Sequence, residues 1–265
     1  MSTQTPFWRR ALRVAGLKAF HFSENNDDSR SSRNGEAWLV RKFIESGIRR
    51  RTEPLVVFDV GSNVGDYTRL VLLEAGRAHC TVHVHAFEPS PHNAEILQRA
   101  FASEPTVQVT CAAAGEEPGE AILYSGKSGS SQASLVKRSN FPEATTGEIT
   151  VPVLRLDQYM QTRGIERVDL LKLDIEGAEL AALLGLGDRL HPKIVDIIQF
   201  EYGGTTLDAR VWLRDFYALL SKRGYVIAKL LPRALEVRPY HAWMEHYSYA
   251  NYVALSPQFL EHTSK

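Results

Sequence analysis

The stretch Leu55-Val-Val-Phe-Asp59-Val-Gly61-Ser-Asn63-Val-Gly65-Asp66-Tyr67 leaves few folds open. Residues 55–58 are apolar without alternation, the pattern of a strand buried on both faces of a parallel sheet. Gly61 and Gly65 stand where the chain must turn sharply and a ligand can approach the backbone. From Asp66 onward Leu70, Val71 and Leu73 recur at helical spacing. A strand, a glycine turn and a helix N-terminus together mark the place where open α/β sheets bind ligands.

The turn narrows the ligand. A dinucleotide fingerprint needs glycine at the positions of Asn63 and Asp66, and a P-loop needs Gly-Lys-Ser/Thr; neither is present. A carboxylate at Asp59 repels a pyrophosphate and suits a cationic ligand such as an amino acid's ammonium or a sulfonium. Residues 81–87 read as a second strand that ends in Glu88-Pro89. An acid there, about 20 to 30 residues past the glycine turn, is placed to hold a ribose diol. Each hydroxyl can donate to one carboxylate oxygen. Pro89 and Pro91 lead into a helix over 93–101.

The acidic strand end recurs further on. Residues 107–112 read as a third strand, and Ala112-Ala113-Ala114-Gly115 is small enough for a flat ring to lie against it. Short strands at 121–124 and 149–153 flank a Ser/Gly-rich loop, 125–134, read as a lid or a free tip. After a short helix at 156–162, a fourth strand at 168–174 ends in Asp174-Ile-Glu176-Gly177-Ala-Glu179, with a helix over 178–184. Glu179 suits the helix dipole, whereas Asp174 and Glu176 fall in the loop facing the ligand crevice. The fifth strand, 194–200, runs into Glu201 at the same edge. A helix over 211–223 closes at Gly224, and strands six and seven are expected at 225–231 and 251–255. Between them lie Tyr240, His241, Trp243, His246, Tyr247 and Tyr249. This cluster suits either sugar stacking with acid–base chemistry from His241, or the core of a long connection.

The 265 residues, 44% hydrophobic, suit one α/β domain with extensions. We divide them into a basic amphipathic segment and polar linker (1–33), a main domain (34–257) and a tail (258–265). Within 7–22, Trp8, Leu12, Ala15 and Ala19 oppose Arg9, Arg10, Arg13 and Lys18. Such a segment is compatible with peripheral contact to an anionic membrane, although packing on its own domain is the commoner outcome. Residues 23–33 read as a mobile linker. Asn34 caps the next helix, where Glu36 either complements the dipole or reaches the cleft. A formal net charge of +0 gives no footprint for nucleic acid. Cys80 and Cys111 read as core thiols of a reducing compartment, and no transmembrane run or signal peptide is expected, so a cytoplasmic location follows. A homo-oligomer stays open.

The order glycine turn, Glu88-Pro89, Lys172-Leu-Asp-Ile-Glu-Gly-Ala-Glu179 and Gln199-Phe-Glu-Tyr202 resembles the FkbM family of S-adenosylmethionine-dependent methyltransferases. Asn34-Gly35-Glu36 resembles its opening motif and Tyr249-Ala-Asn-Tyr252 its closing block. Ser62 departs from the commoner alanine, and Ala133 from a usual serine. The resemblance implies the class I methyltransferase fold: a Rossmann-like, seven-stranded mixed sheet with helices on both faces. Its last strand is antiparallel, beside the sixth. It also implies O-methylation of a hydroxyl, mostly of sugars in glycans, glycolipids and metabolites. Asp59, Gly61, Asn63 and Gly65, with Glu36 and Tyr67 nearby, would surround the methionine moiety. Glu88 and Pro89 would hold the ribose, and Ala112 and Ala113 the adenine. Asp174, Glu176 and Glu201 would flank the transferred methyl.

Methyl transfer to a hydroxyl needs alignment and relief of the hydroxyl proton. Asp174 and Glu201 are the candidate bases, with Glu176 and His241 beside them. Converging carboxylates also suit Mg²⁺, but no spacing forces a ligand set, so a metal-free site is favoured. Alternative readings are a polyketide or lipid hydroxyl as acceptor, a nucleotide-binding oxidoreductase with Glu88 on the NAD ribose, and a non-catalytic glycan-binding module.

Overall fold

The computed structural model describes residues 5–50, 54–125, 133–137 and 147–263. Helices α1 (Phe7–Ser23) and α2 (Glu36–Arg50) precede β1 (Leu55–Val60), α3 (Asp66–Arg77), β2 (Val82–Phe87), α4 (Pro91–Ala100) and β3 (Val107–Thr110). Three short strands follow: β4 (Ala113–Ala114), β5 (Gly119–Ser125) and β6 (Gly147–Leu154). The chain then runs through α5 (Leu156–Thr162), β7 (Val168–Leu173), α6 (Glu179–Leu184), β8 (Val195–Tyr202), α7 (Gly204–Asp208) and α8 (Leu213–Lys222). It closes with β9 (Val226–Leu231), β10 (Ala234–Val237), β11 (Ala250–Leu255) and α9 (Pro257–Thr263).

The main sheet has the order β10-β9-β11-β8-β7-β1-β2-β3. Neighbours from β8 through β7, β1 and β2 to β3 pair in parallel, and β11 pairs antiparallel with both β8 and β9. Seven strands thus follow the expected arrangement, with the last inserted beside the sixth. An eighth, β10, corrects the count by pairing antiparallel with β9. Its residues Ala-Leu-Glu-Val lie mostly exposed at the sheet edge, so no buried face imprinted an apolar pattern on them. A second sheet, β4-β6-β5, flanks the carboxyl end of the first.

Both faces of the main sheet are covered, which explains the unbroken apolar run at 55–58. On one face Val57, Leu170, Ile197 and Val253 meet α2, α3 and α9 through Phe43, Val71 and Phe259. On the other, Phe58, Leu171, Ile198 and Tyr252 meet α5, α6 and α8 through Met160, Leu183 and Phe216. Successive residues of β1, β7, β8 and β11 alternate between these two cores, as the pleat requires.

Two expectations meet a different local structure, and a third falls largely outside the described residues. Residues 24–27 are pinned to the sheet: Glu24 Oε2 lies 3.0 Å from Lys229 Nζ and 2.9 Å from Arg238 Nη1, and Asn26 Oδ1 accepts from Lys229 at 2.8 Å. Lys229 is fully buried and needs those partners. Cys80 and Cys111 are free but only half-buried. Residues 126–132 of the Ser/Gly-rich loop lie outside the described residues; the described Ala133–Lys137 stretch begins beside β5, where Ser134 and Tyr124 exchange backbone hydrogen bonds.

Candidate active site

The carboxyl ends of β1, β2, β7 and β8 converge on one cleft with two compartments. The more closed one, whose roughly 530 Å³ includes space open to solvent, is lined by Gly61, Asn63, Glu88, Pro89, Asn93 and Ala112–Ala114, with Leu123, Ala133, Leu135 and Ile175 beside them. The open one, about 2080 Å³ and continuous with solvent, is lined by Glu36, Tyr67, Lys172, Glu201, Tyr249, Thr205 and Asp208, and by Ser29, Arg30, Ser31 and Ser32. Gly61, Asn63, Asp174 and Glu176 border both.

The glycine turn makes this possible. Gly61 has φ +87°, and a Cβ there would sit 1.9 Å from the Asp174 carbonyl oxygen. Only glycine lets β1 and β7 close so tightly at their ends. Gly65, at φ +90°, starts α3 against the Phe101 ring and lines neither compartment.

In the closed compartment Glu88 is buried but well held. Its Oε2 accepts from Asn63 N and its Oε1 from Ser90 N, both at 2.9 Å. Burial pushes its pKa up to about 7, with the Asp59 charge adding to the rise and the two backbone N–H groups opposing it. Asn93 Nδ2 donates to Asn63 Oδ1 at 2.9 Å, while its own buried Oδ1 has no partner among the described residues.

Asp59 lines neither compartment. It lies fully buried beneath the turn, where its Oδ2 accepts from Thr68 Oγ1 at 2.6 Å. Its Oδ1 has no hydrogen-bond partner among the described residues. Burial raises its pKa, against the pull of Lys172 and Thr68.

Lys172 organises the floor. Its Nζ lies 2.8 Å from Asp174 Oδ2, 3.6 Å from Glu36 Oε1 and 4.5 Å from the centre of the Tyr67 ring. Burial alone would lower its pKa, but Asp174, Glu36 and Asp59 hold it well above the ordinary value. Gln199 ties the floor together. Its Nε2 donates to Glu36 Oε1 at 2.7 Å and Asn251 Oδ1 at 3.0 Å, and its Oε1 accepts from Tyr67 Oη at 3.0 Å. Asn251 Nδ2 then donates to Tyr249 Oη at 3.1 Å.

Asp174 and Glu201 share a hydrogen bond at the head of this floor. Burial, then the charge of Asp174, pushes Glu201 well above the ordinary carboxyl range, so it is the proton donor of the pair. Burial would also raise Asp174, but Lys172 and the bonds from Glu201 and Lys172 hold it below its ordinary value. Asp174 is therefore an ionised carboxylate, a third exposed, at the junction of the compartments. Glu176 lies next to it with φ +55°, and its carbonyl accepts from Ser134 Oγ at 2.7 Å. Glu179 turns inward instead, accepting from Ile175 N at 3.0 Å and from Gly177 N at 3.0 and 3.1 Å.

His241 is not brought to this cleft. It is exposed ahead of a single 3₁₀ turn (Ala242–Met244) and borders neither compartment. Most of the aromatic segment packs elsewhere: Glu245 Oε2 accepts from Tyr202 Oη at 2.7 Å, and Tyr240 packs against Tyr217 of α8. Only Tyr249 of the segment lines the cleft. Among the described residues no three His, Cys, Asp or Glu side chains form a group able to hold a metal ion.

A doubly covered sheet of this order, with one antiparallel strand inserted near its end and a glycine turn beside a ribose-type acid, is that of a class I methyltransferase. The chain belongs to the FkbM methyltransferase family, whose domain model matches residues 59–227, and it is an S-adenosylmethionine-dependent enzyme. It is 28% identical over 219 residues to the 31-O-demethyl-FK506 methyltransferase FkbM of Streptomyces tacrolimicus, covering 72% of this chain and 80% of that one. It is 24% identical to the hexuronic acid methyltransferase AglP of Haloferax volcanii, covering 64% of each. The FkbM methyltransferase structure from Methylobacillus flagellatus aligns at a TM-score of 0.46 and 17% identity, over 80% of this chain and 47% of that one. The chain thus spans under half of that solved chain.

The residues present fit the cofactor. Asn93 Oδ1 is a buried acceptor on the wall with no partner among the described residues. The small side chains of Ala112, Ala113 and Ala114 leave a wall without projections. Sequence reasoning missed Lys172, Gln199, Asn93 and the 29–32 stretch as parts of the site.

Proposed function

We propose that the protein transfers a methyl group to a hydroxyl oxygen, with a sugar of a glycan, glycolipid or glycosylated metabolite as the acceptor. One observation carries this: Asp174, held at 2.8 Å by the Lys172 ammonium and lining the open compartment beside Glu201, faces walls that include serine, threonine, arginine and aspartate side chains. Such walls offer donors and acceptors to a polyol rather than an apolar face to a lipid. The names of two relatives support it, since one marks an oxygen and the other a hexuronic acid.

In this reading Glu88, Asn93, Pro89 and Ala112–Ala114 hold the nucleoside, and Gly61 and Asn63 hold the methionine part. S-adenosylmethionine would supply an electrophilic methyl on a sulfonium, and the carbon–sulfur bond would break with its electron pair left on the departing neutral thioether. The chain's own work is positioning and proton removal. Asp174 takes the acceptor's hydroxyl proton as that oxygen gains its new bond to carbon. Glu201 keeps its proton and steadies Asp174 by donating to it. Lys172 stays charged throughout and fixes the carboxylate's position.

Glu88 gives a pH test. A carboxylate offers one full acceptor to each ribose hydroxyl, whereas a carboxylic acid accepts more weakly and carries a proton on one oxygen, so cofactor affinity should strengthen as pH rises through about 7 and level off above it. Glu88→Ala should remove that step. It should also weaken binding by roughly tenfold to over a hundredfold, the equivalent of about 1.5 to 3 kcal/mol. Calorimetry from acid to alkaline pH reads both effects. A pH-independent affinity, equal in the variant, would take Glu88 off the cofactor.

Acceptor class is tested by incubating the protein with methyl-labelled cofactor and a glycan extract, followed by mass spectrometry. Label in a sugar-containing product is the expected result. Label confined to sugar-free molecules would reject the sugar while leaving methyl transfer intact.

A further inference from the structure

Helix α1 is built the wrong way round for a packed helix. None of its residues is buried, and Trp8 is 60%, Leu12 67% and Phe22 90% exposed. Its contact with the body is at its C-terminal end, where the Phe20 ring meets Trp243 at 6.3 Å and His246 at 5.2 Å, both edge-on. Phe20 falls on the helical face of Arg9 and Arg13, seven residues beyond Arg13. The face carrying Trp8, Leu12 and Phe22 therefore points away from the protein.

The base of this helix is nonetheless held firmly. Beyond Phe20, Asp27 N donates to Tyr249 O at 2.9 Å, and Glu24 pairs with the buried Lys229. Packing on the domain, the commoner expectation for such a segment, is thus met at the C-terminal end of α1, at Phe20 and His21. The position of α1 is set from below while its apolar face has no cover among the described residues.

We infer that α1 is an interfacial helix that lies on an anionic lipid bilayer. Charge selects this occupant: Arg9, Arg10, Arg13 and Lys18 lie on α1 with no acid among residues 5–23. Aromatic and leucine side chains enter the acyl boundary while arginines meet the headgroups. Lys18, at the margin of the apolar face, reaches those headgroups by extending its stem. At 17 residues the helix is about 25 Å long. No helix among the described residues is long and apolar enough to cross a membrane, so contact is parallel to the surface. Residues 29–32, which line the open compartment, begin beyond the pinned 24–27 segment that follows α1. Docking thus brings the compartment near the bilayer, and a surface-anchored acceptor follows only if the hydroxyl reading above holds.

The test is co-sedimentation of the full chain with vesicles of phosphatidylcholine alone, or with about one-third phosphatidylglycerol. The protein should sediment with the anionic vesicles only. Binding should fall sharply from about 0.1 M to about 1 M salt, where the screening length shrinks from roughly 10 to roughly 3 Å. The double variant Arg9→Glu/Arg13→Glu should bind at least about tenfold more weakly, because four units of charge are reversed. Trp8→Ser/Leu12→Ser should weaken binding with its charge intact. Equal binding to both vesicles, binding to neither, or concentration-dependent self-association that Trp8→Ser/Leu12→Ser abolishes would each overturn the inference. Sedimentation does not depend on turnover, so its failure and a failure of the acceptor reading are separable.

Discussion

Asp174→Asn should lower kcat by about a hundredfold to ten-thousandfold, the usual range for losing a positioned general base. Its amide keeps the size of the side chain and a hydrogen bond to Glu201, so folding and cofactor binding should survive. Glu201→Gln sets the contrast. Glu201 acts as a protonated donor to Asp174, and a glutamine amide donates in the same direction. That variant should lose only about tenfold or less, since it removes neither base nor donor. The pH profile supplies the sign. Lys172 holds Asp174 below the ordinary carboxylate range, so wild-type kcat should stay flat through neutrality and fall only in acid. Steady-state kinetics with and without chelator completes the test, with no change expected on chelation. Equal large losses in both variants would move the base to Glu201, and full activity in both would remove the pair from the chemistry.

Lys172→Met should cost about 3 to 5 kcal/mol of stability, the largest single loss expected of the floor. The ammonium is the shared counter-charge of Asp174, Glu36 and Asp59, and its removal leaves buried carboxylates without one. The pH dependence should also change sign locally. In the native protein Asp174 is depressed, so its contribution is present above its unfolded pKa and is lost as pH falls through the folded value. In the variant the orphaned carboxylates have raised pKa values, so stability should instead recover as pH falls and they take up protons. Urea unfolding at pH 8 and pH 5 would show this. A loss under 1 kcal/mol at both pH values, about the worth of an exposed ion pair, would mean that Lys172 is not the central charge.

The parts of the fold that were legible in sequence are those where burial writes a pattern. Strands β1, β7, β8 and β11 are covered on both faces, and their mostly apolar sequences, unbroken over 55–58 in β1, announce it. Gly61 was legible because a positive φ and a close approach both demand glycine. Glu88, Asp174 and Glu201 were legible because each acid ends a strand at the ligand-binding edge. Strand β10 was not, since an exposed edge imposes no apolar period.

The site was less legible where residues meet only in three dimensions. Lys172 and Gln199 did carry a signal: each is polar within a strand buried on both faces, and such a residue must have a partner. Nothing in sequence shows that Ser29–Ser32 fold back over the cleft, because small polar residues look alike in a wall and in a linker. His241 misled in the opposite sense. Its chemistry suited the site, but the connection from β10 to β11 sets Tyr240 against Tyr217 of α8, Tyr247 against Tyr202 of β8 and Trp243 against Phe20 of α1, and His241 is left outside. The direction of α1 was equally hidden. Amphipathic spacing shows that a helix has two faces, not which one meets the protein.

The most direct test of the central claim is the atom that receives the methyl group. The full-length protein is incubated with S-adenosylmethionine carrying a ¹³C-labelled methyl and an acceptor found in the extract. The product is then read by carbon–proton correlation spectroscopy. The expected spectrum shows the labelled methyl on oxygen, correlated through that oxygen to a carbon of the acceptor, and the signal is absent with Asp174→Asn. A labelled methyl on carbon, nitrogen or sulfur would contradict hydroxyl transfer at the Asp174–Glu201 pair.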